Sequence, residues 1–169
     1  MSMQGKALIP FFCLLLASCM NANAGRSSDE QRGEPETEGD VLVEFSVENA
    51  AGDATRDFRA GETIRFVFAV RNRSRAPRQL AYTFPPHRVE VLRSKEPVWQ
   101  AWQGRMFPQV MREQHVPVGE RIVFSVEWKT ADATPPGSYR VRPSFHGFLQ
   151  PGGQVIPAEM AEVIITVQQ

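Results

Sequence analysis

The chain has 169 residues, 42% of them apolar, and its 19 basic and 19 acidic side chains cancel to a formal net charge of zero. A balanced chain of this kind lacks the basic footprint of a nucleic-acid binder. Its two cysteines, Cys13 and Cys19, both fall near the start, so the rest of the chain has no disulfide, thiol nucleophile or cysteine metal site and must fold on its hydrophobic core.

The chain opens "MSMQGKALIPFFCLLLASC". Lys6 supplies a positive start, and Ala7 to Leu16 form an apolar run broken only by Pro10. That run is too short to span a bilayer, which takes roughly 20 apolar residues. It fits an export signal that is removed and takes no part in the fold. Its end, Leu16-Ala17-Ser18-Cys19, resembles the lipobox of bacterial lipoproteins. The resemblance implies cleavage before Cys19 and lipid on its sulfur. The other reading is an ordinary signal cleaved later, for example after Ala24. Residues 20–40 hold six acids and two arginines, a net of −4, and almost nothing apolar. They read as a flexible acidic tether, about 25 Å long as a random coil. The expected organisation is a signal peptide over 1–18, lipidated Cys19 with its tether to 40, and one domain over 41–169.

From Val41 the pattern has period two, the mark of half-buried antiparallel strands. Val41, Val43, Phe45 and Val47 share one face, as do Ile64, Phe66, Phe68 and Val70 in the next run. "RNRSRAPR" follows at 71–78. Arg73, Arg75 and Arg78 are candidates for an anionic partner, against the plainer reading of a solvated loop. Asn72-Arg73-Ser74 also fits a glycosylation sequon. "FPP" at 84–86 marks a turn.

"EPVWQAWQGRMF" at 96–107 then packs Trp99, Trp102, Met106 and Phe107 into a stretch that otherwise reads as a polar connection. On one continuous strand the two tryptophans would point to opposite faces. Either the strand breaks, or one Trp is buried and the other is not. Two readings stand. In one, a Trp with Phe107 closes the end of a sandwich. In the other, Trp99, Trp102, Arg105 and Met106 form an exposed lip, since these residue types are enriched where proteins bind proteins. "FPQVMREQH" at 107–115 carries the only helical hint, a turn or two.

Alternation resumes with Ile122, Phe124, Val126 and Trp128, then Tyr139, Val141, Pro143 and Phe145, then Val163, Ile165 and Val167. Glycine and proline fall between the runs, which points to an all-β, Ig-like antiparallel sandwich of about seven to nine strands. In "PPGSYRV", Gly137 suits a turn, and Tyr139 enters a strand with its hydroxyl free to bond nearby backbone. His87, His115 and His146 have no metal-ligand spacing, "QPGGQ" lacks the residues of a phosphate loop, and no nucleophile motif appears. The expectation is a non-enzyme without cofactor or metal.

"NRS" at 72–74, "VWQAW" at 98–102, "MFPQ" at 106–109, "VPVGERIVFSVEW" at 116–128 and "PPGSYRV" at 135–141 together resemble the intracellular proteinase inhibitor family, BsuPI. The likeness runs from about Val67 to Phe145. It implies an Ig-like sandwich and inhibition of proteases. Because it includes both tryptophans without tying them to a shared target, it favours their core reading. Three departures stand out. "FPPHRVEVL" lacks the family's aspartate, Gln103 replaces a serine, and Val118 is extra within Pro-Gly. Contacts made by the missing residues do not carry over.

The expected function is a non-catalytic lipoprotein of the cell envelope that binds another protein, with a protease as the partner the resemblance implies. The rival is a structural or assembly subunit of an envelope complex that inhibits nothing. The membrane is engaged through lipid on Cys19. Met20, in place of the aspartate that often marks inner-membrane retention, leans towards the outer membrane. No nucleic acid is expected.

Overall fold

Each period-two run of the sequence forms a strand with its apolar set turned inward. The computed structural model describes residues 41–150, 154–156 and 160–169. The signal peptide, Cys19 and the tether expected over 1–40 lie outside the described residues.

Among the described residues there are twelve strands and no helix. In chain order they are β1 (Val41–Glu48), β2 (Asp57–Arg59), β3 (Thr63–Asn72), β4 (Arg78–Thr83), β5 (His87–Arg93), β6 (Glu96–Gln100), β7 (Met111–Val116), β8 (Arg121–Lys129), β9 (Gly137–Phe145), β10 (Phe148–Gln150), β11 (Gln154–Val155) and β12 (Val163–Gln168). The total exceeds the seven to nine expected because β2, β10 and β11 are only two or three residues long. Such pieces leave no period to read.

The strands form three sheets: β1-β3-β8, β2-β12-β9-β5-β6 and β11-β10-β4-β7. Every pairing is antiparallel except that of β2 with β12. The first two sheets face each other across the core. Phe68 of β3 lies 5.0 Å from His87 of β5 and 6.2 Å from Phe145 of β9, ring centre to ring centre. Trp128 of β8 meets Tyr139 of β9 edge-on at 5.7 Å. The third sheet adds Leu80, Tyr82 and Val116 to the same core. Tyr82 meets Phe124 edge-on at 5.2 Å. Burial of this apolar surface is the main stabilising term, at about 25 cal/mol for each Å² removed from water.

The helical hint over 107–115 is corrected. Residues 111–116 form β7, paired with β4 from Arg78↔Val116 to Thr83↔Met111. β7 is an edge strand with only Val116 buried, so the polar and apolar residues along it need not alternate. The tyrosine expectation holds. Gly137 has φ of 137°, and the Tyr139 hydroxyl donates to the Pro135 carbonyl.

Candidate functional site

The aromatic stretch begins as a strand and then leaves it. β6 pairs with β5, and a bulge between Val91 and Leu92 shifts the register. Ala101 N–H still bonds the Val89 carbonyl at 2.9 Å. Trp102 and Gly104 then take left-handed backbone angles, φ 69° and 72°. A bulky residue adopts that region only when its surroundings hold it there. The turn closes with Arg105 N–H on the Trp102 carbonyl at 3.0 Å. Residues 105–110 run without regular structure to β7.

Breaking the strand lets both indoles turn towards the sandwich. Trp99 sits between Phe66, at 5.6 Å, and Trp128, at 6.1 Å and nearly parallel. Trp102 meets His87 at 5.5 Å and Phe107 at 5.5 Å. Its indole N–H donates to the His87 carbonyl at 3.2 Å. Phe84 completes the cluster, 5.4 Å from Phe107 and 6.1 Å from Trp102. Phe107 with Trp102 thus caps the edge of the core, while Trp99, half-buried, packs against it.

Arg105 and Met106 remain outside. The Arg105 guanidinium lies 6.0 Å from the Trp102 ring centre, a cation over an aromatic face. Met106 is 98% exposed, between Arg105, drawn over Trp102, and Phe107, whose ring packs on Phe84 and Trp102. An apolar side chain in water at that level recovers none of its burial energy from the fold.

Under this segment lies His87, 2% exposed, with neither ring nitrogen hydrogen-bonded. Its ring is enclosed by Phe68, Trp102 and Phe124. Burial pushes its pKa down to about 4, so it is neutral at physiological pH.

The arginine loop is built differently. Asn72 is fully buried. Its amide nitrogen donates to the carbonyls of Ala76 and Val116, each at 2.9 Å. Its side-chain oxygen accepts from Ser74 N–H at 2.9 Å and from the Ser74 hydroxyl at 2.7 Å. The sequon asparagine is therefore an internal clamp, and its nitrogen is already engaged. Arg73 pairs with Glu44 at 3.3 Å, Arg75 is exposed, and Arg78 is half-buried at the start of β4. The fold does not bring the two candidate groups together. Arg78 begins β4, whereas Thr83, beside Phe84, ends it, a separation of about 17 Å along the strand.

Two clefts flank the aromatic segment. One, of about 530 Å³, runs between it and β8, past Gln103, Ser125 and Glu127. The other, of about 1070 Å³, lies over the outer face of β5 and β9, with Trp102, Met106 and Phe107 along one wall.

The family model described as intracellular proteinase inhibitor, BsuPI, matches residues 54–147, more than half of the chain. No curated protein matches. Among solved structures, a protein described as ApaA from Bordetella pertussis is similar over 77% of this chain and 95% of its own, at 11% identity and a TM-score of 0.45. The CARDB domain of a Pyrococcus furiosus protein, in complex with di-metal ions, is similar over 83% and 100%, at 10% identity and 0.40. Spo0M, a sporulation control protein from Bacillus subtilis, is similar over 78% and 50%, at 14% identity and 0.43. At this distance each is a likeness of chain path alone.

Proposed function

Because the chain belongs to the BsuPI family of intracellular proteinase inhibitors, we propose that it is a non-catalytic binding domain whose partner is a protease, engaged by residues 105–110. The observation that carries this reading is Met106, 98% exposed on an unpaired stretch. Trp102 on one side and Phe107 on the other are packed into the Phe84–His87 cluster. A segment that enters a protease cleft must be extended and already held in its bound shape. Ordering paid in advance is then not charged against affinity. The arginine loop fits this role less well, because Asn72 and Ser74 draw it into a compact turn.

Arg105 is drawn over Trp102. Met106 is therefore the side chain left to enter a primary pocket, and an apolar pocket suits it. The partner class is a serine protease that cleaves after large apolar residues.

The setting belongs to the same proposal. Leu16-Ala17-Ser18-Cys19 supports export and lipid attachment, so the domain would meet its partner at the cell envelope, although the family is described as intracellular.

The test is titration of the purified protein into chymotrypsin-like, subtilisin-like and trypsin-like proteases. Residual activity is read against molar ratio, and the chain is weighed afterwards by mass spectrometry. Saturation near one to one with an uncleaved chain, strongest for the enzymes with apolar pockets and lost in Met106→Asp, is the expected result. No inhibition across the panel overturns the reading, and so does inhibition that Met106→Asp leaves intact.

A further inference from the structure

The larger cleft shares Arg105, Met106 and Phe107 with the loop of the protease reading, but its inference does not rest on that reading. We propose that it is a second binding site, for an extended acidic peptide segment with apolar residues between its carboxylates.

The floor is a ladder of side chains on the outer face of the five-stranded sheet. Arg142 lies between Glu162, at 2.6 Å, and Glu90, at 3.5 Å, and Gln100 donates to Glu90 at 2.8 Å. The charges on this floor answer one another. The rest of the lining does not balance. Arg88 and Arg105 both border the cleft. Neither has a carboxylate partner among the described residues. The charge of Arg88 is felt nearby, since His146 is held below its ordinary pKa by burial and then by Arg88. The Arg105 guanidinium lies over the Trp102 ring at 6.0 Å, and among the described residues none of its N–H groups has a carboxylate, which leaves them to bind an anion.

The wall beside these cations is apolar, formed by Phe84, Trp102, Met106 and Phe107. A small inorganic anion would satisfy the arginines and leave that wall wet. A purely apolar segment would cover the wall and bury two cations without partners, which is costly. A strand-like peptide supplies both, because its side chains alternate and its carboxylates and apolar groups fall on opposite faces. The volume, about 1070 Å³, is at the upper end for a single-ligand pocket and suits several residues of chain.

The probe is a fluorescein-labelled hexapeptide of alternating glutamate and leucine, titrated with the full protein at low salt and read by anisotropy. It is expected to bind, more weakly as salt is added, and about tenfold more weakly to the Arg88→Gln/Arg105→Gln double variant. Arg121→Gln, on the opposite sheet, is expected to bind as the parent does. Thermal melts of the variants check that each is folded. Equal binding of a glutamine–leucine peptide would reduce the cleft to an apolar groove. Equal binding of a glutamate–serine peptide would reduce it to ion attraction. Either result overturns the proposal, as does failure of the probe to bind. Because Arg105 and Met106 belong to both the cleft and the loop, Arg88→Gln, outside the loop, is also titrated alone: weaker peptide binding with protease inhibition unchanged is expected, and peptide binding that Arg88→Gln leaves intact overturns the site.

Discussion

His87 is a base with nowhere to put its proton. Phe68, Trp102 and Phe124 surround its ring, and burial is what lowers its pKa. The indole N–H of Trp102 goes to its backbone carbonyl and not to the ring. Burial holds its folded pKa at about 4, against 6.5 for the free side chain. The unfolded chain therefore takes up the proton first as pH falls. Its contribution to stability is full above pH 6.5 and is lost between pH 6.5 and 4, reaching about 3 kcal/mol at pH 4. In His87→Leu the backbone acceptor for Trp102 stays, and no side-chain hydrogen bond is lost. Urea unfolding at steps from pH 7 to 4 is expected to show the variant losing about 3 kcal/mol less than the parent. Parallel curves would mean that the ring is solvated, and that the cluster under the loop is looser than its geometry implies.

At the level of elements, the brace and the tip have different jobs. Phe107 holds the 105–110 stretch to Phe84 and Trp102, whereas Met106 touches nothing that stabilises the fold. Phe107→Ala should free the stretch while leaving the sheets in place. Trypsin then gains a site after Arg105 that the braced parent resists. Mass spectrometry of a limited digest should find fragments ending at Arg105 in the variant alone, with a melting temperature lowered by only a few degrees. Cleavage of the parent at the same rate would show that the stretch is mobile without help. The strands that were legible in the sequence are above all those with one buried and one wet face, such as β8 and β9. β4 buries Leu80, Ala81 and Tyr82 in succession, and β7 buries almost nothing, so neither shows a period of two. The tryptophans were legible as apolar excess. That both turn inward depends on the left-handed backbone at Trp102, which no glycine announces. Asn72 read as part of a basic loop because its role, four hydrogen bonds made in the interior, has no pattern along the chain. The positions that carry the family resemblance, Asn72, Ser74, Trp99, Trp102, Phe107 and Tyr139, build the scaffold. Arg105 and Met106 stand between them, and are where specificity would lie.

For the whole molecule, charge and anchor make separate predictions. Residues 20–40 carry a net of −4 and residues 41–169 a net of +3. A domain with a slight positive excess can adhere weakly to anionic lipid, and salt removes such attraction. Covalent lipid does not wash off, because two or more acyl chains anchor a protein stably by apolar burial. If Cys19 is the acylated residue, the parent stays with membranes through a high-salt wash and leaves only with detergent. Cys19→Ser should then move it to the soluble fraction with the 41–169 domain still folded. A parent that salt alone releases would favour cleavage after Ala24 and a free chain. A Cys19→Ser protein that survives the wash would place the anchor elsewhere in the sequence. The distinction bears on the protease reading as well, since an anchored inhibitor meets only partners within reach of a tether about 25 Å long.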